Sequence, residues 1–292
     1  SLNYAILDYA NRYKEELLFN IYRMAKNSIE KGSRDNWTLR PKLVDSLKSL
    51  IEHNHEKNSN RKNVAGYFDS VFRSPANRDP RGFIISSDQK DFYTATKFVN
   101  ALIESGVRVE KADTDFKVEG KNYSKGSFVI KTNQAYRPHI IDMFEPQDHP
   151  NDFQYPGGPP VRPYDAAGWT LAFQMGIQFD RILNDFDGPF STLPYGEIQS
   201  PLPQSLTKSS SGYIISPSAN NAFLAVNELL SKGIEVFRLI KNNGTYAAGS
   251  FYVPAKGFDI LKRKATGEGL VVIPAKKVPA AKKRITLSRI AL

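Results

Sequence analysis

The sequence contains no cysteine, and that absence excludes several kinds of chemistry. There can be no disulfide, no thiolate nucleophile and no cysteine-ligated metal, and the redox compartment of the protein stays open. No apolar run approaches the roughly 18 residues that a membrane span needs, and residues 1–12 lack the features of a secretory signal, so localisation is left undetermined. No Gly-x-Ser-x-Gly elbow, phosphate loop or dinucleotide fingerprint occurs, so nothing favours a serine hydrolase or a nucleotide-binding enzyme.

The composition is that of a folded globular protein with room for two domains. Of 292 residues, 40% are hydrophobic and 24% are charged. The formal net charge is +10, but residues 241–292 hold eleven basic residues against two acidic ones, so residues 1–240 carry only about +1. Because this excess is local and lies among proline and alanine, we expect a solvated connector, with weak nucleic-acid binding through the basic C-terminal tail as an alternative.

The first part of the chain has helical periodicity. Apolar residues in the segment 3–31 recur on one face, which predicts a long amphipathic helix that ends at Gly32 and Ser33. After Pro41, a second periodic run with Leu43 and Leu47 predicts another helix. Its polar continuation, residues 53–63, is predicted to be a loop.

An internal repeat is the most informative feature of the sequence. Three segments return in the same order: 82–86 as 212–216, 99–109 as 226–236, and 126–130 as 249–253. The offset falls from 130 to 127 to 123, so only the connections have shortened. Asn100 and Asn227 recur within the repeated helices, where a hydrogen bond from helix to loop is the simplest explanation.

The repeat predicts two β-α-β-β-β-α-β modules. Gly106 and Gly233 are expected to end the first helix of each copy, because a left-handed cap suits glycine. The expected strands are 83–86, 107–109 and 179–183 in the first copy and 213–216, 234–236 and 270–273 in the second. Hairpin turns are expected at 119–122 and 242–244, each followed by a Gly-Ser-Phe strand. Helices are expected at 135–144 and 258–265.

The predicted fold class is therefore α/β: two repeated modules with mixed sheets, joined by right-handed crossovers and preceded by a helical segment. The expected divisions are a helical segment at 1–78, a first module at 79–190 with a Gly/Pro-rich insertion at 146–168, a linker at 191–211, a second module at 212–275, and a basic connector with a truncated strand at 276–292.

The insertion lies beside the strongest candidate for a binding site. A cation, an imidazole, two carboxylates and two aromatic side chains cluster around it in sequence: Arg137, His139, Asp142, Tyr164, Asp165 and Trp169. Such a mixture suits a polar ligand, a peptide or a polysaccharide. The alternative is that Asp142 and Asp165 only hold the loop, by capping and by ion-pairing with Arg137.

One formal metal motif is present. His53 and Glu56 have His-x-x-Glu spacing, and His55, His139 and His149 are further possible ligands. The motif lies at a polar helix end without the rigid support that zinc ligands need, so the sequence predicts no metal site and no catalytic residue.

Several of these segments resemble a known family. The runs RPHIIDMFEPQ at 137–147, YPGGPP at 155–160, YD at 164–165 and GWTL at 168–171 resemble a region of large bacterial proteins that begin with a carboxypeptidase A-like zinc peptidase domain. The N-terminal helix, with DYA at 8–10 and IYRM at 21–24, looks like the last helix of that domain. Residues 284–292 resemble the lead-in to a following domain similar to class I glutamine amidotransferases.

The resemblance implies a non-catalytic accessory region. The family's zinc ligands and catalytic glutamate would lie upstream of Ser1, so zinc is expected only in that peptidase domain. The implied partners are the peptidase and amidotransferase-like domains of the same protein, with a peptide or glycan as a further ligand. The family context makes an exported parent protein plausible; nothing points to a membrane partner.

We predict that nucleic-acid binding is weak, salt-sensitive and dependent on the basic tail, because nearly all excess charge lies beyond Ile240. Truncation after Ala275 is expected to abolish it. Fluorescence anisotropy of a labelled single-stranded oligonucleotide at low and moderate salt measures this. Tight binding at moderate salt would contradict the prediction.

Overall fold

A computed structural model describes residues 2–57, 64–147, 152–162, 170–242, 244 and 246–287; the side chains of 54–57, 64 and 65 are not described. The helices are α1 (Leu2–Arg12), α2 (Lys14–Gly32), α3 (Pro41–Lys57), α4 (Val64–Phe72), α5 (Phe92–Glu104), α6 (Arg137–Phe144), α7 (Leu171–Gln174), α8 (Asn220–Ser231) and α9 (Phe258–Glu268). The strands are β1 (Gly82–Ile85), β2 (Glu110–Ala112), β3 (Phe116–Val118), β4 (Lys121–Tyr123), β5 (Phe128–Lys131), β6 (Asp180–Ile182), β7 (Phe190–Thr192), β8 (Tyr213–Ile215), β9 (Val236–Leu239), β10 (Phe251–Val253), β11 (Val272–Pro274) and β12 (Lys282–Ile285).

The protein is a mixed helix-and-sheet chain that divides into two compact units. The first unit contains residues 1–86 and 105–195, and the second contains residues 87–104 and 196–292. Helix α5 belongs to the second unit by its contacts. Among the helices described, none has the length and hydropathy of a membrane-spanning segment.

The N-terminal helices follow the predicted periodicity, with one break. The predicted helix over 3–31 is two helices, α1 and α2, which meet at Tyr13. Their apolar side chains are exposed within the described chain: Leu7 is 69% and Leu18 is 65% exposed. The predicted apolar face is therefore present but unburied.

The next helix extends further than predicted. Helix α3 continues to Lys57, so the loop prediction is wrong over residues 53–57. Glutamate and lysine, which occupy positions 56 and 57, are good helix formers, so a polar composition does not by itself end a helix. The sequence did not predict α4, and residues 58–63 lie outside the described part of the chain.

The first unit is built on a five-stranded sheet with the order β6-β1-β5-β2-β7. Strand β1 is an interior strand and is buried along its whole length, as its run of apolar residues predicts. It pairs Phe83 with Ile130 and Ile84 with Val129 of β5. Phe83 stacks on Phe144 of α6, with ring centroids 4.1 Å apart. Ile84 lies in the apolar cluster of the β3–β4 hairpin, whose two-residue turn has positive φ at Glu119 and Gly120.

The prediction of mixed sheets is wrong, because every described strand pairing is antiparallel. The predicted β-α-β connections do join parallel strands, but those strands are not neighbours. In the first sheet β1 and β2 both run antiparallel to β5, which lies between them. A crossover that skips one strand leaves room for an antiparallel insertion, and the sequence alone does not reveal the skip.

The central strands lie close to their predicted positions. The strand expected at 107–109 is shifted to β2, although Val107 and Val109 are buried and Arg108 is exposed, as the alternation predicts. Gly106 and Gly233 follow α5 and α8 and both have positive φ, 92° and 71°. The Gly-Ser-Phe strands, the helices and the closing strands are present as β5, β10, α6, α9, β6 and β11. Of the turn at 242–244, Asn243 lies outside the described residues.

The second unit is built on a sheet with the order β11-β8-β10-β9-β12. One face, with Tyr213, Ile215 and Val253, packs on α8 and α9. The opposite face carries Ile214 and Tyr252. Helix α5 belongs to this unit. Nδ2 of Asn100 donates to the backbone oxygen of Gln199, and Oδ1 of Asn100 accepts from the backbone N–H of Gln199, each at 2.9 Å. The helix-to-loop bond predicted for Asn100 is confirmed, whereas Asn227 is exposed.

Part of the predicted basic connector is the edge strand β12. Residues 282–285 pair with β9 along its full length, from Lys282↔Leu239 to Ile285↔Val236. A strand of charged residues lacks the apolar alternation that signals a strand. Truncation after Ala275 would remove this strand, so substitution of the exposed Lys276 and Lys277 is the cleaner test of the tail.

We predict that Gly32→Ala destabilises the first unit by about 1 to 3 kcal/mol, because a methyl group there would overpack a buried contact. An ideal Cβ on Gly32 would lie 2.2 Å from the backbone oxygen of Thr132. Thermal denaturation followed by circular dichroism measures the change. Gly267→Ala is the control, since no atom lies within 4 Å of its Cβ position and alanine is the better helix former. An equal melting temperature for Gly32→Ala and the parent chain would contradict the prediction.

Candidate functional site

Arg137, the first residue of the predicted site, is part of a buried ion pair. It begins α6, is 6% exposed, and donates from Nη2 to Oδ2 of Asp79 at 2.6 Å. Asp79 is 3% exposed and accepts three more hydrogen bonds, from Nδ2 of Asn36 and from the backbone N–H and hydroxyl of Thr38. The carboxylate thus has four donors, which is the arrangement a buried charge requires.

A second buried carboxylate lies at the other end of α6. Glu145 is 5% exposed and accepts from Nε of Arg181 at 2.6 Å and from Nη2 of Arg40 at 3.2 Å. Arg181 also donates to the backbone oxygen of Arg78. Both oxygens of Glu145 are therefore paired with guanidinium groups.

Together these contacts attach the segment between α2 and α3 to the first sheet. Asn36, Thr38 and Arg40 come from that segment, while their partners Asp79 and Glu145 flank β1 and α6. Asp35 adds ion pairs to Arg78 at 2.8 Å and to Arg81 at 3.7 Å. We call this set of residues the Asp79 network: Asp35, Asn36, Thr38, Arg40, Arg78, Asp79, Arg81, Arg137, Glu145 and Arg181.

The other described members of the predicted site have separate partners. The ring of His139 lies 2.9 Å from the hydroxyl of Ser105, and Oδ1 of Asp142 accepts from Gln147 at 3.2 Å. The sequence analysis offered ion pairs between Arg137 and the carboxylates of Asp142 and Asp165. In the described residues, the carboxylate that pairs with Arg137 is that of Asp79. Tyr164, Asp165 and Trp169 lie outside the described part of the chain.

The formal zinc motif has no described metal geometry. His53 is exposed on α3, His139 lies on α6, and the side chains of His55, Glu56 and His149 are not described. Among the described side chains, no three histidines or acidic residues come together as a metal site would need.

A cavity of about 530 Å³ lies in the second unit. Its walls come from the loop before α5, the loop before α8, the turn before β10 and the strand β11. The volume is within the range of about 300 to 1,000 Å³ that is typical of ligand sites. Hydroxyl, amide and aromatic side chains contribute to its lining, including Ser218, Gln204 and Tyr246.

Two helix N-termini meet beside this cavity through one shared carboxylate. Asp91 caps α5, accepting from the backbone N–H of Thr94 at 3.1 Å and from its hydroxyl at 2.7 Å. The same carboxylate accepts from the backbone N–H of Asn220, the first residue of α8, at 3.1 Å. Asp91 thus compensates the positive ends of both helix dipoles.

Asn221 is the notable residue of the cavity wall. Its side chain is 1% exposed, and Nδ2 donates to the backbone oxygen of Glu268 at 3.0 Å. Since a carbonyl oxygen can only accept, the orientation of this amide is determined, and Oδ1 is the atom that has no partner in the described structure. The sequence did not single out Asn221. The sequence offered one signal, its position: Asn221 lies at the start of the helix that follows the repeated strand β8.

We predict that Asp79→Asn lowers the unfolding free energy of the first unit by about 3 to 5 kcal/mol, because it leaves the Arg137 guanidinium buried without a counter-charge. Urea denaturation followed by tryptophan fluorescence measures this, since Trp37 donates to Ser74 next to the network. Asp8→Asn is the control: Asp8 pairs with Arg12 on the surface, where an ion pair contributes little. Equal loss in both variants would contradict the prediction.

Comparison with known proteins identifies no relative of this chain: no family model, no curated protein and no solved structure matches it.

Proposed function

We propose that this chain is a non-catalytic accessory region of a carboxypeptidase-like zinc peptidase, in which zinc and catalysis belong to the peptidase domain. The observation that carries the proposal is the Asp79 network. Arg137, the cation of the candidate site, is committed to a buried carboxylate with four donors and serves to hold segments together. An ion pair of this kind supports a structural role for the site.

The proposal includes a repeated architecture, two copies of one α/β module. The two sheet orders become the same when β1, β2, β5, β6 and β7 are matched with β8, β9, β10, β11 and β12. The registers agree as well. Phe83 pairs with Ile130 as Tyr213 pairs with Val253, and Glu110 pairs with Val129 as Phe237 pairs with Tyr252.

Local hydrogen bonds support the same matching. The N–H of Gly126 donates to Ala112 and that of Gly249 donates to Leu239, both at 2.8 Å. Both glycines have positive φ, 84° and 91°. Since these residues come from the Gly-Ser-Phe repeat, the sequence match and the backbone match support one another.

Ligand binding is a second candidate function, and the cavity of the second unit favours it. The sequence analysis assigned ligand binding to the cluster around Arg137 and Trp169. Because Asp79 holds the guanidinium of Arg137, a buried acceptor such as Oδ1 of Asn221 is the better candidate for contact with a ligand. We therefore place ligand binding in the second unit.

We predict that the purified chain retains no stoichiometric zinc after dialysis and does not hydrolyse hippuryl-phenylalanine or hippuryl-arginine, with or without added zinc. The physical reason is that activation of water needs three well-supported ligands and an open position on the metal. Metal analysis and a spectrophotometric assay measure both properties.

An authentic carboxypeptidase A carried through the same dialysis is the control. Chelator-sensitive hydrolysis, or zinc bound by His53, His55, Glu56, His139 or His149, would refute the non-catalytic assignment.

A further inference from the structure

The cavity in the second unit contains a buried acceptor that a ligand donor would satisfy. Asn221 lines this cavity, is 1% exposed and has a partner for Nδ2 but none in the described structure for Oδ1. A buried polar atom without a hydrogen bond destabilises the folded chain. The site therefore favours an occupant that donates an O–H or N–H group.

The electrostatics of the cavity do not favour an anion. Two helix N-termini ordinarily attract negative charge, but the carboxylate of Asp91 already accepts hydrogen bonds at both. The charged side chains in the described lining are Asp88 and Lys90, one of each sign. With the helix dipoles compensated and the lining balanced, a neutral occupant is favoured.

The remaining lining combines small polar groups with aromatic rings. Ser218 and Ser250 bring hydroxyls, Gln204 brings an amide, and Phe92 and Tyr246 bring rings. Hydroxyls and amides both donate and accept, and aromatic rings offer flat apolar surfaces. A sugar ring has the matching chemistry, with hydroxyls around its edge and C–H groups on its faces.

We propose that this cavity binds a neutral sugar, with a sugar hydroxyl donating to Oδ1 of Asn221 and a ring face packed on the aromatic side chains. The site is distinct from the Arg137 cluster and does not depend on the peptidase relationship. It gives the second unit a recognition function of its own.

An extended peptide, the other neutral ligand with donors, is disfavoured by the strand at the cavity wall. Strand β11 is an edge strand, and the N–H of Ala275 donates to Gly212 of the neighbouring chain segment. In an antiparallel pair, residues whose backbone groups face the neighbouring strand alternate with residues whose groups face away. The backbone of Pro274, one residue earlier, therefore faces away from β8. Proline has no N–H, so this free edge lacks a donor that strand addition would use.

The test is a titration of the ¹⁵N-labelled chain with maltotetraose, cellotetraose and chitotetraose at millimolar concentrations, followed by amide chemical shifts. We expect at least one sugar to give saturable shifts at residues 88–93 and 216–221. Ser218→Trp, which fills the exposed mouth of the cavity, is expected to weaken binding by about 10-fold or more.

Ser231→Trp, at the exposed far end of α8, is the matched control and should bind as the parent does. Asn221→Ala is expected to weaken binding as well, and its melting temperature separates lost binding from lost folding. Shifts that persist unchanged in Ser218→Trp would overturn the proposal, as would no shift with any sugar, or shifts only with inorganic phosphate or tetra-alanine. None of these outcomes bears on the zinc and hydrolysis test.

Discussion

The first unit depends on one buried carboxylate. Asp79 lies shortly before the interior strand β1 and accepts hydrogen bonds from two other parts of the chain: the segment with Asn36 and Thr38, and helix α6 with Arg137. A charge at 3% exposure is tolerated only because every one of these donors is in place. The contacts are mutually dependent, so the position of the helical segment and that of α6 are set together.

The sequence predicted one edge of each sheet, formed by β7 and β12, less well than the other strands. Strands β1 and β8 are short apolar runs followed by a helix and a glycine, and that pattern is local. The edge strands β7 and β12 are short and polar or charged, so they lack a periodic signal. These strands form because the neighbouring strands have backbone donors and acceptors that need partners. Which groups need partners depends on the strand order and direction, and the predicted mixed sheets gave the wrong directions.

The candidate site was harder to predict than the fold, because its side chains contact partners that are distant in sequence. Arg137 was identified as a polar site residue, yet its partner Asp79 is 58 residues away and no pattern joins them. Asn221 had no distinguishing motif, since its importance comes from burial and from one oxygen without a donor. Both properties appear only when the chain is folded.

The edge strands of the second sheet have a consequence for how this protein behaves at high concentration. Strand β12 presents Lys282, Lys283 and Arg284 along one edge, and β11 places Pro274 on the other. Like charges repel when two β12 edges approach, and proline removes a donor from the opposite edge. The sheet is thereby protected against edge-to-edge polymerisation, and the basic residues that suggest a nucleic-acid tail also serve as a barrier to self-association.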